Sequence, residues 1–147
     1  MKRSMVLGAV LMALASPAVQ AHGDQHHAPA ARTAAATRTI QIEMTDQMRF
    51  TPSQVSVKRG DSVRFVVINR GAVMHEMVIG TMADLKQHAE HMKRHPNMKH
   101  AAANMAHVAP GRTGEIVWQF SRPGELYFGC LVAGHFDAGM IGKLVVE

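Results

Sequence analysis

Three side chains that bind soft or borderline metals follow one another at even steps near the end of the chain. The segment GCLVAGHFDAGM carries Cys130, then His135 five residues later, and Met140 five residues after that. Gly134 and Gly139 each come directly before one of these candidate ligands, and glycine lets a loop take positive φ angles close to an ion. We therefore expect one loop to direct a thiolate, an imidazole and a thioether at one point.

A cysteine, two histidines and a weak axial methionine form the ligand set of a blue-copper electron-transfer site. The second histidine should come from another strand, and His75, in VMHEM, is the one histidine inside a strand-like segment. Cu(I) favours sulfur and Cu(II) favours nitrogen, so a rigid mixed site serves both oxidation states. The alternative is an inert buried thiol beside ordinary histidines. We predict one type 1 copper, with four ligands: His75, Cys130, His135 and Met140.

The first residues have the pattern of a secretory signal peptide. Lys2 and Arg3 precede a short apolar run from Met5 to Leu14, and small residues lead up to Ala21. We expect cleavage after Ala21 and export to the periplasm, with residues 1–21 removed. The apolar run is too short for a bilayer span, which predicts no membrane insertion. A single cysteine in an oxidising compartment has no disulfide partner within the chain, which favours a metal-binding role.

The charge of the chain argues against nucleic acid as a partner. Removal of Lys2 and Arg3 with the signal peptide leaves 14 basic residues against 11 acidic residues, with no basic block. A scattered excess of this size makes no strong electrostatic footprint for a polyanion. We expect copper ions as the partner, together with a periplasmic redox protein or a copper exporter.

Alternating apolar residues predict an all-β domain over residues 39–147. Residues 22–38 have no periodicity and should form a flexible tail. From Thr39 onward, six or seven short strands separated by turn residues indicate a β-sandwich. Residues 82–109 lack this alternation and are rich in helix formers until Pro96, which should end a helix. They predict a partly helical His/Met-rich insertion.

Further candidate ligands lie in the insertion and in the tail. Four of them have the i, i+3, i+4, i+7 spacing of one helix face and predict a second, weaker copper site: His88, His91, Met92 and His95. The alternative is a solvated helix that is merely rich in histidine. In the tail, His22 would combine the new α-amine with an imidazole beside His26 and His27, a set that could chelate Cu(II).

Two stretches give the chain a resemblance to a known family. The spacing Cys130-x4-His135-x4-Met140 with His75 upstream, and the stretch FTPSQVSVKRGDSVRFVVIN, resemble the cupredoxins, the family of plastocyanin and azurin. The segments MHEM and CLVAGHFDAGM, with the His/Met-rich insertion, add a likeness to the CopI-like periplasmic cupredoxins of bacterial copper tolerance. The resemblance covers residues 39–147 and implies a Greek-key β-sandwich with one mononuclear type 1 copper.

The residues on either side of His75 depart from the family pattern. Plastocyanin and azurin carry an asparagine after the first ligand histidine, where this chain has Glu76. Azurin has a glycine before that histidine, where this chain has Met74. We expect Glu76 to take over from the asparagine and anchor the ligand loop beside the metal.

Two functions fit such a site. One is copper handling in the periplasm that contributes to tolerance, and the alternative is a soluble electron carrier between redox partners. The extra histidines favour copper handling, because a carrier needs only a rigid site and a docking surface. Gly129 and Leu131 flank Cys130, so the adjacent histidines through which multicopper oxidases pass electrons are missing. We predict no main catalytic role, which leaves room for a weak cuprous-oxidase activity.

Overall fold

The computed structural model describes residues 36–96, 98 and 100–147. The predicted signal peptide and nearly all of the predicted tail, including His22, His26 and His27, lie outside the described residues. Within the described ranges, no helix has the length and apolarity needed to cross a bilayer.

The described chain forms two sheets and one helix. Its elements are β1 (Arg38–Thr45), β2 (Arg49–Thr51), β3 (Gln54–Val57), β4 (Ser62–Asn69), β5 (His75–Gly80), α1 (Met82–Arg94), β6 (Met105–Val108), β7 (Thr113–Gln119), β8 (Gly124–Gly129) and β9 (Ile141–Val146). The first sheet has the strand order β2-β1-β4-β7, and the second sheet has the strand order β3-β9-β8-β5-β6. The pairs β1–β4 and β3–β9 are parallel and the remaining pairs antiparallel, so both sheets are mixed.

Period-two alternation buries one face of β4 and one face of β9. In β4, the side chains of Val63, Phe65 and Val67 are fully buried between the sheets. Phe65 lies opposite Ile40 on β1 and Ile116 on β7, which fixes the register of three neighbouring strands. Each such apolar side chain contributes about 1.5–3 kcal/mol on burial, and a slip of one residue would turn all of them outward.

The predicted all-β sandwich with a partly helical insertion is confirmed. Two strands were not predicted. β2 is only three residues long, and β6, Met-Ala-His-Val, lacks the β-branched alternation that marks the other strands. β6 lies inside the predicted insertion and pairs with β5, so the end of the insertion is part of the second sheet.

Capping residues mark both ends of helix α1. Thr81 is the N-cap and forms a capping box with Asp84, and His95 is the C-cap directly before Pro96. A good N-cap stabilises a helix by about 1 kcal/mol. The helix packs on the second sheet through a second apolar cluster: Val78, Leu85, Ala89, Met92, Met105, Leu131 and Phe136. Met92, predicted as a ligand beside the histidines, is 5% exposed and belongs to this core stripe.

Candidate metal centre

Two neighbouring strands hold the ends of the predicted ligand loop. Cys130 directly follows β8 and Met140 directly precedes β9, and the Cys130 N–H donates to the Met140 carbonyl at 3.1 Å. The Met140 N–H donates to the His135 carbonyl, also at 3.1 Å. Gly134 and Gly139 take φ angles of 88° and 86°, a region strained for residues with a β-carbon. The loop therefore folds back so that its first and last ligands are backbone neighbours.

His75 reaches the same point from β5. Val78 lies opposite Gly129 in the antiparallel pair β5–β8. This register places His75, at the start of β5, beside the start of the ligand loop. The Cys130 Sγ lies 3.3 Å from His135 Nδ1 and 4.0 Å from His75 Nδ1. One ligand atom from each of the three residues lies within 4.8 Å of the others. The structure thus brings three of the four predicted ligands together.

The three donors fit a metal ion of the predicted kind. Bonds of about 2.3 Å to sulfur and 2.0–2.1 Å to nitrogen place S and N atoms on one ion roughly 3.3–3.8 Å apart. The Sγ–Nδ1 distances of 3.3 and 4.0 Å are close to this range. A thiolate with two imidazoles suits copper. A cavity of about 380 Å³, lined by residues that include Trp118 and Leu126, contains none of these ligands and has no part in the site.

Burial shifts the pKa values of Cys130 and His135. Cys130, His75 and Met140 are fully buried, and His135 is half-buried. Removal from water raises the pKa of the Cys130 thiol to about 12, so the sulfur keeps its proton unless a metal ion displaces it. Burial also lowers the pKa of His135, ahead of repulsion from His75. A neutral imidazole leaves a lone pair for a metal.

Comparison with known proteins decides the family. Residues 4–146 match the profile of the cupredoxin-like domain. This chain belongs to the cupredoxin-like family. It is similar to the copper-resistant cuproprotein CopI of Rubrivivax gelatinosus, 51% identical over 114 residues that cover 78% of this chain and 69% of the relative. The CopI of Pseudomonas aeruginosa is 33% identical and covers 98% of this chain and 94% of the relative.

Solved structures share the fold. Auracyanin B superposes with a TM-score of 0.68 at 19% identity, over 81% of this cupredoxin and 95% of that chain. Auracyanin A of Chloroflexus aurantiacus, described as a "blue" copper protein, gives a TM-score of 0.61 at 25% identity, covering 74% of this chain and 98% of that one. The predicted family is confirmed, and with it copper as the cofactor that the family and the donor set imply.

Asp46, which the sequence did not single out, orients the first histidine of this cupredoxin. The His75 Nε2 lies 3.0 Å from Asp46 Oδ1, so Nε2 donates and Nδ1 keeps its lone pair towards Cys130. The Ala72 N–H donates to the same carboxylate at 2.7 Å, and this bond, followed by that to His75, lowers the pKa of Asp46. Nothing in the turn TDQM signals a contact with a residue 29 positions later.

Replacement of Asp46 by alanine should weaken copper binding while the domain stays folded. Loss of a carboxylate that orients a ligand histidine typically costs about 10–100-fold in metal affinity. Competition against a copper chelator would measure the change. The matched control is Asp61→Ala, which removes a carboxylate that accepts the Lys58 N–H in the turn between β3 and β4. Equal affinities of the two variants would rule out the orienting role of Asp46.

Glu76, predicted to anchor the ligand loop, is 1% exposed and contacts three parts of the site. Its backbone N–H lies 3.4 Å from Cys130 Sγ, and its Oε1 accepts the Leu131 N–H at 2.9 Å. Its Oε2 lies 2.7 Å from Nδ1 of His107, on β6. Burial raises the pKa of Glu76, and the nearby His107 opposes that shift. This carboxylate therefore links β5, the ligand loop and β6.

Asn69 is one more residue near the site that sequence reasoning missed. Asn69 is buried at the end of β4 and donates through Nδ2 to the carbonyls of Val73 and Val108, at 2.8 and 2.9 Å. Its Oδ1 accepts the Gly71 N–H at 2.8 Å. These bonds hold the segment that enters β5. Asn69 is the last residue of the strand that contains FVVIN. A polar residue at the end of this apolar strand was the one feature of the sequence that pointed to it.

The histidines predicted to share a helix face fall into two groups. The ring centre of His88 lies 4.6 Å from that of His100. The ring centre of His91 lies 4.8 Å from that of His95. Met92 belongs to neither group, because its side chain is on the face with Leu85 and Ala89 that packs on the second sheet.

Proposed function

We propose that this cupredoxin is a periplasmic copper-handling protein that contributes to copper tolerance and holds one type 1 copper. Its ligands in this proposal are His75, Cys130 and His135, with Met140 as the axial thioether. The observation that carries the proposal is the group of three ligand atoms within 4.8 Å of one another. Support for tolerance comes from the relatives at 51% and 33% identity, which are named copper-resistant cuproproteins.

The buried position of Met140 supports its axial role. It is fully buried, and its backbone bonds to Cys130 and to His135 keep it at the same end of the sandwich. A weak, long axial methionine tunes the redox potential of such a centre. Copper bound there would supply one-electron chemistry between its cuprous and cupric states.

The protein residues hold the donors fixed and control access to them. Cys130 and His75 are shielded from water, and the Glu76 N–H, 3.4 Å from the Cys130 sulfur, would reduce the charge density on that sulfur once copper displaced its proton. His135 is half-buried, so its ring is the edge of the site that faces solvent. Entry of an ion and exchange of electrons would both take place on this side.

A soluble electron carrier is the second candidate. Val73 and Met74, directly before His75, are each 44% exposed and offer apolar surface near the site. A redox partner could dock on such a surface. The histidines of α1 have no role in this second function, which is why copper handling comes first.

The proposal includes the predicted domain organisation, and it assigns no main catalytic role to the protein. It includes a signal peptide at residues 1–21, a His-containing tail at residues 22–38 and a cupredoxin domain at residues 39–147. Gly129 and Leu131 beside Cys130 provide no histidine wire to a second redox centre. A redox protein or a copper exporter of the periplasm would be the protein partner.

Growth on copper distinguishes the two functions. We expect a strain without this gene to be copper-sensitive and to recover with the wild-type gene but not with Cys130→Ser. The Asp61→Ala gene serves as the control and should restore growth. Impaired respiration with normal copper tolerance would contradict copper handling and favour the electron carrier.

A further inference from the structure

A second group of metal-binding side chains lies at the C-terminal end of α1. His91 and His95 are one helical turn apart, with ring centres separated by 4.8 Å. The thioether sulfur of Met98 lies 3.4 Å from Nε2 of His91. Met98 is 44% exposed, His95 is exposed and His91 is half-buried, so an ion in solution has access to all three.

The backbone after the helix explains why Met98 returns to the last turn. The His95 N–H donates to the His91 carbonyl at 3.0 Å and closes α1. The Met98 N–H then donates to the His95 carbonyl at 3.0 Å across a turn that contains Pro96. Proline favours the second position of such a turn. The sequence HPNM is therefore well suited to bring a thioether back onto a histidine pair.

The distances match those of ligands that share one metal ion. Nitrogen and sulfur atoms bound to one ion lie roughly 3.3–3.8 Å apart, and two imidazoles hold their ring centres about 4.5–5.5 Å apart. The observed values are 3.4 Å and 4.8 Å. The ring centres of His75 and His135, in the first site, are 5.0 Å apart. The second group thus has a spacing similar to that of the first.

The local chemistry favours a cuprous ion. Two imidazoles with a thioether form a neutral, partly soft ligand set, which suits Cu(I) better than a hard cation. The last turn of a helix carries partial negative charge that attracts a cation. The Met98 sulfur lies at hydrogen-bond distance from Nε2 of His91. The charge of the neighbouring Lys93 is offset by Glu90 and Asp137.

We propose that His91, His95 and Met98 form a second copper site that takes Cu(I) from solution. It shares no ligand with the first site. Lys93 Nζ lies 2.7 Å from Asp137 Oδ2, in the loop between His135 and Met140. This ion pair joins the last turn of α1 to the loop that carries the first site.

A neighbouring histidine cluster is the rival location. The ring of His100 lies 4.6 Å from that of His88 and 5.4 Å from that of His107. Both ring nitrogens of His100 are buried without a hydrogen-bond partner among the described residues. However, His107 uses one nitrogen on Glu76 and the other on the His100 carbonyl, and the cluster has no sulfur. Cu(I) therefore favours the group with Met98.

Anaerobic titration with Cu(I) against a colorimetric Cu(I) chelator tests the proposal. The protein is the mature chain with His22, His26 and His27 replaced by alanine, so that the tail does not contribute. We expect two tightly held equivalents. His91→Gln and Met98→Leu should each weaken the second equivalent by tenfold or more. The matched controls, His88→Gln and Met82→Leu, change the same residue types at other positions of α1 and should keep both equivalents.

The outcomes separate this proposal from the function of the first site. The visible absorption of the cupric protein reports on Cys130, and it should be the same in all four variants. A single Cu(I) equivalent before any change in α1 would overturn the second site. Loss of the second equivalent in His88→Gln, with retention in His91→Gln and Met98→Leu, would overturn its location and assign it to the rival cluster.

Discussion

Replacement of Cys130 by serine is expected to abolish the strong visible absorption of the cupric protein. That absorption arises from charge transfer from a thiolate to copper, and a serine hydroxyl does not supply a comparable donor. Copper affinity should fall by more than the roughly 10–100-fold that loss of an outer hydrogen-bond partner costs. Absorption spectroscopy and chelator competition measure the two effects.

The same variant needs a folding control, because Cys130 is fully buried in the larger of the two apolar clusters of the domain. Serine is similar in size, and its buried hydroxyl costs about 1–3 kcal/mol if it has no partner. We expect a cooperative thermal transition with the secondary structure intact, and so a folded protein without the band. A folded Cys130→Ser protein that keeps the band would contradict the assignment of the ligand.

Replacement of Glu76 by alanine should lower both the stability of the domain and its affinity for copper. The variant leaves the N–H of Leu131 without its acceptor and removes the partner of His107. A buried donor left unsatisfied costs about 1–3 kcal/mol. Loss of the anchor beside Cys130 should weaken copper binding by about 10–100-fold. Urea unfolding of the metal-free protein and chelator competition would measure these changes.

Two further variants test whether the losses of stability and copper affinity depend on the position and the charge of Glu76. Glu115→Ala removes an exposed carboxylate that lies 3.7 Å from Arg64, and a surface pair of this kind contributes about 0–1 kcal/mol. It should therefore behave like the wild type. Glu76→Gln keeps an acceptor for Leu131 and removes the charge, so we expect a smaller loss than in Glu76→Ala. A copper spectrum and affinity unchanged in both Glu76 variants would show that the ligand loop does not depend on this anchor.

The parts of the fold that follow from local pattern were predictable. The alternation of Val63, Phe65 and Val67 predicts a strand with one buried face, and the structure has it in β4. Cys130 and His135 are close in sequence, so bringing them together requires only one loop between two strands. His75 was also accessible to reasoning, because it is a histidine inside an apolar strand.

The partners of these candidate ligands were not predictable, because they depend on how distant strands pair. Asp46 reaches His75 only after the turn that follows β1 packs against the segment before β5. His107 reaches Glu76 because β6 pairs with β5, and the residues of β6 have no strand pattern. Polar residues in such positions look like ordinary turn or surface residues until the pairing is known.

The helix shows a different limit. The spacing of His88, His91, Met92 and His95 predicts one shared helix face, but spacing alone does not tell which side faces the core. Met92 is apolar enough to join the core stripe, and the structure places it there. Met98 lies beyond the helix, and it meets His91 only through the turn at Pro96.

X-ray absorption at the copper edge, on protein loaded with one equivalent of Cu(II), tests the central claim most directly. We predict one short copper–sulfur bond together with two bonds to imidazole nitrogen, from Cys130, His75 and His135. A coordination sphere of nitrogen and oxygen alone, with no short sulfur bond, would contradict it.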